Sequence, residues 1–272
     1  MRTLKLTLAY EGTEYVGWQR QAAGTSIQGS LEDAMGRLAG VPVAVAGAGR
    51  TDAGVHAAAQ VASCVVDLRQ DGDTLRRALN AMLPGDIRVL EVMDAADDFH
   101  ARFSALSKTY HYRITNGPVA SPFARRWSWH VPWTLDVPAM QEAALGLAGE
   151  HDFSAFQSAG TEVRSTIRRL HVSHVLETPA GTSVLPPGAH PEPASGERRL
   201  VYEVRGTGFL RHMVRAIAGT LVEVGSRRLR PEEVKALLTT PARKDAGPTA
   251  PAGGLCLAAV HYADGRGERP ED

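Results

Sequence analysis

The residues best suited to chemistry gather in one stretch, Gly47-Ala48-Gly49-Arg50-Thr51-Asp52-Ala53-Gly54-Val55-His56-Ala57. Glycine lets backbone approach a ligand closely, so a glycine-rich loop between two strands can hold a charged side chain at the mouth of a cleft. Asp52 offers a carboxylate for nucleophilic attack or proton transfer. Arg50 sits two residues earlier, and an extended backbone would put both side chains on one face, where the cation keeps the carboxylate ionised. Asp-Ala-Gly is equally an ordinary turn, with Arg50 paired to Asp52 and no ligand at all. His56, four residues after Asp52, raises an Asp/His hydrolase or a metal site as rivals. No further His, Cys or carboxylate follows at helical ligand spacing, and there is no Gly-x-Ser-x-Gly elbow, so His56 reads as structural.

Composition narrows the setting. The chain has 272 residues, enough for one large domain or two ordinary ones. No apolar run is long enough to span a bilayer, and the start, Met1-Arg2-Thr3-Leu4-Lys5-Leu6, has no signal-peptide core, so the cytoplasm is the expected location. Cys64 and Cys256 are the only cysteines, each in an apolar run, and read as small buried hydrophobes. Net charge is zero, which argues against a general polycation. Its distribution is uneven: residues 99–230 hold 16 Arg/Lys against 10 Asp/Glu, and residues 1–98 hold 9 against 13. The basic excess in the middle of the chain suggests an anionic partner.

The elements that must position these residues follow from periodicity. Leu4, Leu6, Leu8 and Tyr10 alternate with Thr3, Lys5, Thr7 and Ala9, a half-buried strand. Thr25 or Ser26 caps a helix with Ile27, Leu31, Ala34, Met35 and Leu38 on one face, closed by Gly40. Val41–Val45 and Gln60–Val66 read as the strands either side of the Asp52 loop. Asp73 is the expected cap of a second helix through Leu75, Ala78, Leu79 and Met82, and Ile87–Val92 is the next strand. Residues 1–92 therefore read β-α-β-β-α-β, the ferredoxin-like order of many RNA-binding modules.

In the second half, Lys108–Ile114 is a strand with Tyr110 and Tyr112 on one face and Thr109, His111 and Arg113 on the other. Tyr110 could be ordinary core or a ring for stacking. Residues 125–133 mix Arg125 and Arg126 with three tryptophans, suiting either nucleic-acid stacking or a strand packed onto the body of the protein. A helix is expected from Val137 to Gly149, then an irregular loop at His151–Phe156, a long strand over 166–177, a mobile hairpin tip over 179–196 and a return strand at Leu200–Val204. The stretch Gly206–Arg215 leads into a helix whose apolar face is Leu210, Val214, Ile217 and Leu221. Arg211 and Arg215, at i and i+4, share a neighbouring face of it. Pro231 begins a helix to about Thr239, Leu255–Tyr262 is the last strand, and the tail from Asp264 is expected to fray.

Several of these stretches resemble one family in order. Tyr10-Glu11-Gly12-Thr13, Tyr15, Gly17-Trp18-Gln19, Gly49–Ala57, Leu79-Asn80, Phe99-His100-Ala101-Arg102-Phe103, Lys108–Tyr112, His151-Asp152-Phe153, Gly206–Arg215 and Ala246–Pro251 resemble the motifs of the tRNA pseudouridine synthase A family. Glu11 stands where the family has aspartate, which bears on the geometry of that turn. The resemblance implies isomerisation of uridine to pseudouridine on the 3′ side of the tRNA anticodon stem and loop, with no cofactor and no metal. It implies a homodimer that shares each tRNA across subunits. The implied fold is α+β: two ferredoxin-like, RRM-like halves forming a long mixed, mostly antiparallel sheet with flanking helices and a central basic cleft. The expected division is 1–105, carrying the catalytic loop, and 106–272, carrying RNA-binding and dimerisation surface. By resemblance Asp52 is the essential carboxylate and Tyr110 lies against the target base.

The implied reaction breaks C1′–N1 and joins C1′ to C5 of the same base. It asks for one carboxylate, acting at C1′ or on a sugar proton, and a surface that holds the detached base. Arg50 would be the ion-pair partner of Asp52, and Tyr110 would stack on uracil and move a proton near C5. Arg211 would pair with Asp52, hold a phosphate or lie on a solvated face. Flipping a stacked uridine costs roughly a few kcal/mol. Backbone contacts from Arg125, Arg126, Arg164, Arg168 and Arg169 would offset that cost.

Overall fold

The computed structural model describes residues 1–158, 163–178 and 197–263. The expected hairpin tip at 179–196 and the tail from Asp264 lie outside the described residues. The fold is α+β, with ten strands among the described residues in mixed, mostly antiparallel pairing and few helices. In chain order the elements are β1 (Arg2–Tyr10), α1 (Ile27–Ala39), β2 (Ala46–Gly47), β3 (His56–Val66), α2 (Gly72–Met82), β4 (Ile87–Ala95), β5 (Ala105–Asn116), β6 (Trp129–Val131), α3 (Val137–Leu145), β7 (Gly149–Asp152), β8 (Ile167–Thr178), β9 (Arg198–Gly206), α4 (Met213–Gly225), α5 (Pro231–Ala236) and β10 (Leu255–Tyr262). They form two compact units, Met1–Lys108 with Cys256–Asp272, and Thr109–Leu255.

In the first unit β1 lies between β3 and β4, antiparallel to both. Its alternation puts Leu4, Leu6, Leu8 and Tyr10 into the core, as period two requires. Ser26 is the helix cap: its Oγ accepts the Gly29 amide at 3.1 Å, and Gly40 ends α1 in the left-handed region. Ile27, Leu31, Ala34 and Met35 of α1 and Leu75 and Leu79 of α2 are buried. β2 pairs antiparallel with β3, and β10 pairs parallel to it through Cys256–His56 and Leu257–Ala57. The β-α-β-β-α-β order read from the sequence is the observed one.

Two local expectations change here. Val41–Val45 is not a strand; only Ala46 and Gly47 pair with β3. Val43 and Val45 do face the core, but the Val45 amide and carbonyl are taken by α1 side chains, Glu32 Oε1 at 3.2 Å and Gln28 Nε2 at 2.9 Å. A segment satisfied that way has no ladder to join. The cap of α2 is Asp71, not Asp73: Asp71 Oδ1 accepts the Thr74 amide at 2.7 Å, and Asp73 falls in the first turn.

In the second unit the strand order is β5-β9-β8-β7, with β6 parallel to β5. Tyr112 and Tyr202 are buried, as are Met140, Ala143 and Ala144 of α3. Helix α4 is buried on nearly every side, more than its apolar stripe predicts. Gly219 lies so close to the Pro248 carbonyl that a Cβ there would collide with it, and Gly247 sits against Thr220. The 246–251 stretch is therefore a strap lying on α4. Trp129 belongs to β6 and meets Tyr112 edge-on at 6.3 Å, which favours packing over stacking for that residue. The start of His151–Phe156 is a strand, β7, paired with β8 through His151–Arg168, and not an irregular loop. Helix α3 stops at Leu145 and α5 at Ala236, both short of their expected ends.

Candidate active site

The Asp52 loop is held by its backbone and by one buried polar network. The Ala48 amide donates to Val61 O at 2.8 Å and the Trp18 amide to Thr51 O at 3.0 Å. Asp52 O accepts the Val55 amide at 3.1 Å, closing a turn in which Gly54 has φ 77°, and the Gly54 amide reaches Tyr15 O at 3.3 Å. Beneath it Gln60 Nε2 donates to Gly49 O at 2.8 Å and to the Tyr10 hydroxyl at 3.4 Å. The Tyr10 hydroxyl also shares a hydrogen bond with Thr51 Oγ1 at 2.9 Å. Burial pushes the Tyr10 phenol above its ordinary range, so it keeps its proton.

Thr51 is buried, Arg50 is exposed and Asp52 is half-buried. That alternation is the one expected of extended backbone: Thr51 anchors inward while its neighbours face outward. The loop therefore presents a carboxylate on a backbone tied at Ala48, Gly49, Thr51, Asp52, Gly54 and Val55, and a fixed position is what a general base or nucleophile needs.

Close approach of neighbouring chain depends on glycines outside the loop as much as inside it. Gly17 has φ 106°, and a Cβ there would lie 2.6 Å from Thr51 O. Gly12 lies against the Val55 carbonyl, and Gly47 leaves room for the Trp18 indole. His56 is buried, and its Nδ1 accepts the Gly12 amide at 3.0 Å and lies 3.5 Å from Glu11 Oε1. These contacts tie the ring to the Gly12 turn. The Glu11 carboxylate closes the same turn by accepting the Thr13 amide at 3.1 Å. Among the described residues no group of three or more His, Cys, Asp or Glu could hold a metal ion.

Tyr110 and Arg211 belong to the second unit. Tyr110 on β5 is buried, and its ring meets Phe209 edge-to-face at 5.0 Å. Phe209 rides on a loop that Gly206 lets pass close to Arg169 O, and the Thr207 amide bonds that same oxygen at 3.2 Å. Arg211 is exposed. It does not share a helix face with Arg215, because α4 begins only at Met213 and His212 turns left-handed with φ 62°. The break is held by Ser158, whose Oγ meets His212 Nδ1 at 2.6 Å and whose amide donates to Arg211 O at 3.3 Å.

The arginines expected to meet phosphate differ in surroundings. Arg125, Arg126 and Arg164 are exposed. Arg169 Nε lies 3.7 Å from Glu150 Oε2, and Arg168 Nη1 donates to Ser165 O at 2.9 Å and Ile167 O at 2.6 Å. Sequence reasoning missed Tyr10, Thr51, Gln60 and Gly17 as supports of the Asp52 loop, and Phe209 as the neighbour of Tyr110. Gln60 carried a usable signal: a long amide within a run of apolar strand residues needs buried partners.

A family model described as tRNA pseudouridine synthase matches residues 7–104 and 143–263. Tyr10, Asp52 and Arg211 fall inside the matched segments, and Tyr110 falls between them. The chain is similar to the tRNA pseudouridine synthase A of Syntrophotalea carbinolica, 43% identical over 263 residues covering 97% of both chains. It is also 45% identical to that of Moorella thermoacetica, over 96% of this chain and 100% of the relative. With the protein of the same name from Solidesulfovibrio magneticus it shares 45% identity over 100% of this chain and 98% of the relative.

Proposed function

The chain belongs to the tRNA pseudouridine synthase family, and we propose that it isomerises uridine to pseudouridine in the anticodon stem and loop of tRNA, with Asp52 as the carboxylate that acts at C1′. The observation carrying this reading is the braced loop: a half-buried aspartate whose own carbonyl and whose neighbours Gly49, Thr51, Gly54 and Val55 are tied by hydrogen bonds. A nucleophile or base held in that way needs no reorganisation when the substrate arrives.

In the proposed reaction the C1′–N1 bond breaks, the base turns, and C1′–C5 forms. The proton on C5 is lost and N1 gains one, so atoms balance without any oxidant. Tyr110 lies against the uracil. Its edge-to-face contact with Phe209 supports a fixed ring orientation. Arg50, exposed and two residues before Asp52, is the ion-pair partner of that carboxylate in this reading. Arg211 binds a phosphate or Asp52. The enzyme acts as a homodimer in the cytoplasm, a reading supported by the family resemblance.

The test is direct. Incubate the full chain with an unmodified tRNA transcript and map pseudouridine. Asp52→Asn should leave tRNA affinity within about twofold and remove product formation. An Asp52→Asn variant as active as the wild type would overturn the assignment of the carboxylate. Sedimentation of the free protein tests the dimer.

A further inference from the structure

The segment His100–Lys108 carries features that the proposed chemistry does not use. Phe103 is 77% exposed, yet it does not sit on a loose tip. The turn beneath it is tied at almost every backbone group. His100 O accepts the Ser104 amide at 2.9 Å, Ser104 Oγ accepts the His100 amide at 3.1 Å, and His100 Nδ1 accepts the Arg102 amide at 3.1 Å. The turn is also pinned to the sheet. The Ala101 amide donates to Ser63 Oγ at 3.0 Å and Ala101 O accepts the Tyr262 hydroxyl at 2.7 Å. Ala101 is fully buried in one cluster with Ala48 and Val61, which places the turn on the strands that carry the Asp52 loop.

A scattered exposed phenylalanine needs no explanation. A ring held this firmly beside cations has the layout of a nucleotide platform. His100 stacks on the Phe103 ring at 4.4 Å, and the Arg102 guanidinium lies 5.7 Å from the ring centre. Lys108 is half-buried, and its ammonium is held below the usual lysine range by burial and then by Arg102. Arg102 and Lys108 are two cations on one short segment, and an anion that joins them relieves their repulsion. A phosphate beside a stacked base supplies that anion.

We propose that this segment is a nucleotide-binding element for the tRNA substrate, with Phe103 stacking on an unpaired base and Arg102 and Lys108 holding the adjoining phosphate. The proposal rests on the tRNA reading above.

The experiment measures tRNA affinity, KM and kcat for the full chain and three variants. Phe103→Ala should raise Kd and KM by about five-fold to a hundred-fold, the range of one base–aromatic stack, with kcat unchanged. Phe103→Trp should stay within about twofold of the wild type, and its added fluorescence should be quenched by tRNA. Arg102→Gln should lower the slope of log Kd against log salt by roughly one. Unchanged Kd and KM in Phe103→Ala would overturn the proposal. So would an affinity loss accompanied by a change in sedimentation, which would make this a surface between copies of the chain. If the wild type itself neither binds nor modifies tRNA, the functional reading falls and takes this inference with it. Failure of the variants alone leaves that reading standing.

Discussion

Removing the Tyr10 hydroxyl tests whether the buried network beneath the Asp52 loop holds it. In Tyr10→Phe the ring stays, Thr51 Oγ1 loses the hydroxyl it meets at 2.9 Å, and Gln60 Nε2 loses its contact at 3.4 Å but keeps Gly49 O at 2.8 Å. One buried hydroxyl is left underused, a cost of about 1–3 kcal/mol. Thr51→Val is nearly isosteric and takes the same hydrogen bond from the Tyr10 hydroxyl instead, with a similar cost. The double variant removes both partners and leaves an apolar pair of the same shape, so its cost should fall short of the sum by about 1 kcal/mol. Urea unfolding of the four proteins at constant m gives the cycle. The rate of pseudouridine formation gives a second reading: a loosened loop should slow the chemical step about tenfold to a hundredfold while tRNA Kd holds, because small misplacements of a reacting group are costly. Additivity within about 0.3 kcal/mol, together with an unchanged rate, would refute the idea that this network positions the loop.

Gly17→Ala should destabilise the protein by about 2 kcal/mol or more, because φ 106° disfavours alanine and its Cβ would lie 2.6 Å from Thr51 O. Thermal melting checks this, and a variant as stable as the wild type would contradict the close seating of the loop. Both cysteines are buried, so neither should react with a thiol reagent until the chain unfolds, and both should react afterwards. Burial pushes the Cys64 thiol from 9.0 up to about 12, so its contribution to stability is complete below pH 9.0 and is lost as pH rises toward 12. Urea midpoints measured across that window should fall with pH, and less so in Cys64→Ala.

Much of this protein is legible in its sequence because local periodicity reports which face is buried. The alternation of Leu4, Leu6, Leu8 and Tyr10 marked β1, Ser26 and Gly40 bounded α1, and the β-α-β-β-α-β order emerged from such patterns alone. The glycine frame singled out Asp52 and Arg50, and the parity of β5 put Tyr110 beside Tyr112 on a buried face. What periodicity does not report is where a backbone group finds its partner. Val43 and Val45 alternate like a strand, yet Gln28 and Glu32, remote along the chain, satisfy Val45 instead. His151 and Asp152 lacked a strand pattern and became one because β8 offered its edge. Arg211 left the helix face it was assigned because Ser158 holds His212 in a left-handed turn. Gln60, Tyr10 and Thr51 meet only after β1 and β3 have paired, with Leu8 opposite Gln60. Hydrogen bonds between residues distant in sequence exist only once the chain is folded, and those bonds decide how the Asp52 loop is held.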